Sequence, residues 1–217
     1  MNFIVNSFLS LSISIGAIIG WVRFRKTSPA YWPFLWLMWT GLYYELLGIA
    51  VMQAGYYNAI GYNTYALVES LLLGLQFWRW RLFGKIRARY FALQSLFITG
   101  WIVDNFMIAP IHVFSSYFTI GRSIVIVLLS VGMLYLLFEK PVASLVRHPV
   151  FLICIGLVVL FTYTAIVEGF LIFGAGLSKL FRVRIFFILA CINFITNIIF
   201  AFAILWMPIK RRYLLQY

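Results

Sequence analysis

Seven apolar stretches, at about residues 3–21, 31–53, 64–84, 91–110, 117–138, 149–174 and 183–208, follow one another with only short breaks. Each is near or above the roughly 20 residues that an α-helix needs to cross a bilayer. Inside lipid every backbone polar group must find its partner within the protein, so only helices or a closed barrel can span. Continuous apolar runs, rather than ten-residue alternating segments, argue against the barrel. Composition agrees. The chain is 65% hydrophobic and 10% charged, with a mean hydropathy of +1.01, against about 45–50% and about 25% in a soluble domain. No polar stretch is long enough for a separate soluble domain. The expected fold is therefore all-α: a single polytopic membrane domain over residues 1–217 with seven transmembrane helices. The first segment is followed, not led, by basic residues, and is expected to be a mature helix rather than a signal peptide. Gly174 and Gly176 mark the break between the sixth and seventh segments.

Charge sets the expected orientation. With seven helices, one set of loops holds Arg23, Arg25, Lys26, Arg79, Arg81, Lys85, Arg87, Arg89, Lys140, Arg147, Lys210, Arg211 and Arg212, which is 13 of the 17 Lys and Arg. The other set holds Lys179, Arg182 and Arg184. By the positive-inside rule the N-terminus is expected outside and the C-terminus inside. The net charge of +12 then belongs to loops that meet anionic headgroups. Its scatter over several short loops argues against a nucleic-acid partner.

No catalytic or metal constellation is visible. Cys154 and Cys191 lie inside apolar segments, with no CxxC spacing and no adjacent histidines. His112 and His148 fall near opposite membrane faces. HExxH, GxSxG and a Walker loop are absent. No cofactor motif is present either, and the last helix lacks the lysine that a retinal Schiff base requires.

The ionisable residues inside the helices carry the functional signal. Counted by depth, Glu45, Glu69, Asp104 and Glu168 come to one level near the outer face from four different helices. Arg122 stands beside them on a fifth. Only Glu139 among the acids lies at the cytoplasmic face. A charge at a helix centre costs about 2.5–3.5 kcal/mol on insertion scales, so such residues face a bundle interior, a wet cavity or one another. Snorkelling and helix-to-helix hydrogen bonding are the structural alternative. Helical spacing favours a pocket. Tyr62, Glu69 and Gln76 repeat at intervals of seven, with Tyr65 flanking, and so share a face. Thr119, Ser123 and Ser130 form a polar stripe beside Arg122. Thr164 and Glu168 are an i,i+4 pair, as are Asn193 and Asn197. The expected ligand-binding set is Glu45, Glu69, Asp104, Arg122, Glu168, Tyr62, Tyr65, Gln76, Asn193 and Asn197. Arg122 is expected to pair with Asp104, on the preceding helix at similar depth. Four acids and one arginine leave excess negative charge, which a small polar or cationic ligand, or a proton, would balance.

Two resemblances follow from short stretches. "GWVRFRKTSPAYWP" after the first helix and "LLFEKPVASLVRHP" after the fifth both give charges and a proline before the next helix. Aligning Trp78 with Trp206 sets Glu69 on Asn197. Helices 1–3 would then repeat as helices 5–7, with helix 4 as linker. This plan resembles the 3+1+3 arrangement of SWEET and PQ-loop transporters and of the KDEL receptor. No Pro-Gln motif is present, so none of their substrate residues carries over. "NTYALVES", Asn63 to Ser70, resembles a stretch of uncharacterised bacterial seven-helix membrane proteins. That similarity implies a sensory role and a bacterial plasma (inner) membrane location. The leading expectation is a receptor or sensor that binds its ligand from outside and signals through a cytoplasmic or membrane partner. A small proton- or cation-coupled transporter is the alternative. An intramembrane enzyme lacks a nucleophile or metal site.

Overall fold

The computed structural model describes residues 3–84, 86–139, 144–173 and 178–209. Lys85, Lys140, Gly174, Gly176, Lys210, Arg211 and Arg212 lie outside the described residues. Within them the chain is helical, with one isolated antiparallel bridge, Thr27 to Ile209. The helices are α1 (Phe3–Ser10), α2 (Ile13–Arg23), α3 (Trp32–Gln53), α4 (Ala59–Arg79), α5 (Arg87–Ile102), α6 (Ser116–Phe138), α7 (Pro149–Phe173) and α8 (Lys179–Trp206). A π-helical turn, Val103–Ile108, extends α5. Five helical stretches are long and apolar enough to cross a membrane: Pro29–Gln53, Arg87–Ile108, Ser116–Phe138, Pro149–Phe173 and Leu180–Trp206. Ser7–Arg23 is a shorter apolar one. The protein is thus a helical bundle of integral-membrane character.

Local chemistry explains the helix ends. Pro149 opens α7, where the missing N–H of proline costs no hydrogen bond. Ser178 caps α8 by accepting from the Phe181 N–H at 3.2 Å. Gly55, at φ +83°, follows the end of α3, the left-handed position that glycine occupies without a Cβ penalty. The first segment is broken at Leu11–Ser12. There the Ser12 hydroxyl donates to Leu9 O at 2.7 Å, and it accepts from the Asn197 amide at 2.9 Å.

Residue pairs fix the helix directions. Gly16 meets Met38 and Gly20 meets Leu35, so α2 and α3 are antiparallel. Phe34 meets Gln76 and Gly41 meets Tyr65, giving the same for α3 and α4. Gly74 with Gln94, and Asn63 with Trp101, set α5 against α4. Phe138 with Phe151 and Phe170 with Phe181 continue the alternation through α7 and α8. α8 returns to α2, where the two run parallel: Ser12 meets Asn197, Gly16 meets Ile204, and Arg23 donates to Met207 O. Neighbouring helices therefore close a ring. Phe34, Leu73, Phe77, Ile126, Ile153, Leu157 and Ile204 are fully buried inside it. The phenyl rings of Phe34 and Phe200 meet edge-on at 5.1 Å.

Close approach of α7 and α8 depends on Gly156. A Cβ there would lie 2.5 Å from Phe200 Cε1 and 3.2 Å from Thr196 Cγ2. Gly156→Ala is therefore expected to destabilise the protein by about 1–3 kcal/mol, the usual cost of overpacking. Thermal unfolding in detergent checks this, and an unchanged midpoint would contradict the packing described.

Candidate functional site

The polar residues gather in the half of the bundle where α4 and α6 begin and α7 ends. α4 starts at Ala59 rather than near residue 64. Glu69 consequently stands at the middle of its helix, further from the helix start than the expected level near the outer face. The apolar run starts at residue 64, but the helix continues back through Asn63, whose hydrogen bonds are met inside the bundle. Thr64 donates to Ile60 O one turn back. Asn63 is wholly buried and fully bonded.

At the centre, Arg122 Nη1 donates to Glu69 Oε2 at 2.5 Å. Their side chains are only 4% and 13% exposed. The Tyr65 hydroxyl donates to the other Glu69 oxygen at 3.3 Å. The guanidinium carbon of Arg122 sits 5.2 Å from the centre of the Phe161 ring on α7, within reach of cation–π attraction. Glu168, also on α7 and buried, lies beside Ser116 and within electrostatic reach of Arg122. Tyr62 lies beside Thr119 and within electrostatic reach of Glu69, Arg122 and Glu168. Three helices, α4, α6 and α7, thus bring one cation and two carboxyls together. Several polar atoms here are buried without a partner: Arg122 Nε, Thr119 Oγ1 and Glu168 Oε2. Buried polar groups are nearly always satisfied, and each of these atoms has room in its chemistry for one bond to a water or a bound group.

The expected Asp104–Arg122 pair does not form. Asp104 Oδ2 instead accepts the Phe118 N–H of α6 at 2.7 Å. That N–H belongs to the first turn of α6, which has no partner within its own helix, and a carboxylate is favoured beside a helix N-terminus. Asp104 is therefore a remote cap. Gln76 also works elsewhere. Its Nε2 donates to Ala30 O at 2.7 Å, and its Oε1 accepts the Phe34 N–H at 2.9 Å. The Asn197 amide turns to Ser12, on the side of α1 and α2. Asn193 is half-buried one turn earlier on α8. Glu45 lies beside Ser10 of α1 and within electrostatic reach of Tyr65. Its neighbour Tyr44 packs on Tyr65 at 5.2 Å. Of the ten expected residues, Glu69, Arg122, Glu168, Tyr62 and Tyr65 form the cluster, with Asp104 at its margin.

One network had no counterpart among the expected residues. Asn63 Nδ2 donates to Asn105 Oδ1 at 2.9 Å, to Val113 O at 2.7 Å and to Ile111 O at 3.1 Å. Asn63 Oδ1 accepts the Ser115 N–H at 3.0 Å. The Ser115 hydroxyl donates to Asn105 Oδ1 at 2.7 Å, and Trp101 Nε1 donates to Asn63 O at 2.8 Å. This network ties α4, the π-turn and the loop before α6 into one unit directly beside the charged cluster. Asn63 sits inside "NTYALVES", and Asn105 follows Asp104. An asparagine at or within an apolar run was the available signal: Asn63 directly precedes the third run and Asn105 lies inside the fourth.

No family model matches this chain. Neither a curated protein nor a solved structure is significantly similar to it. Among the described residues no group of three His, Cys, Asp or Glu is placed to hold a metal ion.

Proposed function

We propose that the protein is a seven-span receptor or sensor, N-terminus outside and C-terminus inside, that binds a small cationic ligand or a proton at Glu69, Arg122 and Glu168. In this reading the signal passes to a cytoplasmic or membrane partner protein. The carrying observation is Glu168: a buried carboxyl with one oxygen unpartnered, next to an arginine whose charge Glu69 already balances. The excess is one negative charge. A buried charge needs a counter-charge or a proton. The loops at the opposite end, with Arg23, Arg25, Lys26, Arg79, Arg81, Arg87, Arg89 and Arg147, support the orientation. A bacterial inner membrane suits it.

The transporter alternative needs a polar path to the other face. Gln76 and Ser130 were the deeper polar residues, but Gln76 is fully engaged with Ala30 and Phe34, and Ser130 donates to Ile126 O of its own helix at 2.8 Å. Beyond Glu69 the interior is closed by Leu73, Phe77, Ile126 and Leu157. This apolar floor favours one-sided access, hence a receptor. Reconstitution in proteoliposomes tests the choice. The account expects no cation- or proton-driven flux above that of empty vesicles; a flux lost in Glu69→Gln would replace the receptor by a carrier. Orientation has its own check. A cysteine at Tyr57, which is 94% exposed, should react with an impermeant reagent in intact cells, while a C-terminal tag should be reached only after permeabilisation. The reverse pattern would overturn the topology.

A further inference from the structure

A groove of about 260 Å³ runs along the outer side of the α5–α6 contact and ends at Asp104 and Arg122. Its walls are apolar, Leu96 and Gly100 on α5 and Gly121 and Val125 on α6. It exists because glycine faces it: a Cβ built on Gly121 meets no atom within 4 Å. Leu96, Ile108 and Tyr117 lining it are exposed, so in a membrane-spanning bundle the groove opens to lipid tails rather than to water. At its polar end two side chains, 2% and 5% exposed, each keep a buried atom with no partner: Asp104 Oδ1, an acceptor, and Arg122 Nε, a donor.

We infer that this groove seats a single-chain amphiphile taken from the bilayer, with an uncharged hydroxyl-bearing head at Asp104 and Arg122 and its chain against Gly100 and Gly121. The chemistry selects the head. Asp104 asks for a hydrogen-bond donor and Arg122 for an acceptor, and a hydroxyl is both. A carboxylate or phosphate head would bring negative charge against Asp104 and Glu69, whose two charges already exceed that of Arg122. The chain selects the route, because an apolar tail reaches a lipid-facing groove without leaving the membrane. The inference rests on the reading of Arg122 as part of a ligand site, and it adds a second entrance to that site from the side.

The test uses the full-length protein in nanodiscs and a monoacylglycerol carrying a diazirine in its acyl chain. Irradiation should label peptides that contain Leu96–Ile108 and Tyr117–Val125. Labelling should saturate and be displaced by unlabelled monoacylglycerol. A fatty acid with the same diazirine should label the groove more weakly at neutral pH. Gly121→Leu places a side chain in the open space and raises helix propensity, so the variant should fold while labelling falls by about tenfold or more, equivalent to about 1.4 kcal/mol of binding. Labelling that does not saturate, or that is unchanged in Gly121→Leu, marks ordinary boundary lipid and overturns the inference. Either result leaves the Glu69 reading to its own cation-binding measurement, which needs no lipid probe.

Discussion

Glu69→Leu is expected to destabilise the protein by about 3–5 kcal/mol, the cost of leaving one partner of a buried ion pair without its counter-charge. Neither Glu168 nor Asp104 makes a hydrogen bond to Arg122 in its place, and Asp104 Oδ2 is held by the first turn of α6. The double variant Glu69→Leu with Arg122→Leu should recover most of the loss, because removing both charges also removes the desolvation penalty. A double-mutant cycle on thermal or denaturant unfolding measures this directly. Strictly additive effects would show that the pair seen at 2.5 Å is not coupled. Asp104 with Arg122 provides the contrast. The Asp104→Asn and Arg122→Gln losses should be nearly additive, because each residue serves a different partner.

Asn63→Leu should be comparably severe without touching a charge. The asparagine side chain makes four hydrogen bonds, to Asn105, Ile111, Val113 and the Ser115 N–H. Bonds between transmembrane helices average only about 0.6 kcal/mol each. Leucine also strands the partners, and each buried group left unsatisfied costs about 1–3 kcal/mol. A loss on the order of 3–5 kcal/mol follows, together with faster hydrogen exchange through residues 109–115, which Asn63 holds in place. A drop below about 1 kcal/mol would mean that the loop is positioned by other contacts.

The helical segments were legible in the sequence because hydropathy reports them without knowledge of packing. Among the described residues most helices begin or end within a few residues of the apolar runs. α4 was the exception. The apolar run begins at residue 64, yet Asn63 before it lies inside the helix, with its side-chain hydrogen bonds met by the bundle. A polar residue in a helix reads as a break only when its partners are invisible, and the partners of Asn63 come from about 40 to 50 residues further along the chain. Counting by depth put four acids and Arg122 at one level, and of these Glu69, Arg122 and Glu168 stand together with Asp104 at the margin. Their pairing was not legible in this way, because depth does not give the rotation of a helix about its axis. Asp104 stood at the right level for Arg122, but the π-turn that extends α5 sets its carboxyl against the N-terminus of α6. Gln76 shared a face with Glu69 as the heptad spacing required. That face runs the length of α4, and its lower end serves the start of α3 instead of the site. The Ser123 and Ser130 hydroxyls likewise return to their own helix backbone, a choice that residue identity does not announce.

Binding of a small cation or a proton is the claim on which the functional account depends. Its most direct measurement is the thermal midpoint of the purified protein in nanodiscs, followed across pH and across a panel of monovalent metal ions and small organic amines. Wild type, Glu69→Gln, Glu168→Gln and Glu139→Gln are compared. Glu139 is exposed at the opposite end of the bundle and serves as the control. The account predicts that pH or at least one cation stabilises the wild type and the Glu139 variant, and that the response disappears in the Glu69 and Glu168 variants while both remain folded. Equal responses in all four proteins, or none in the wild type, would leave the buried carboxyls as structural groups and contradict the ligand site.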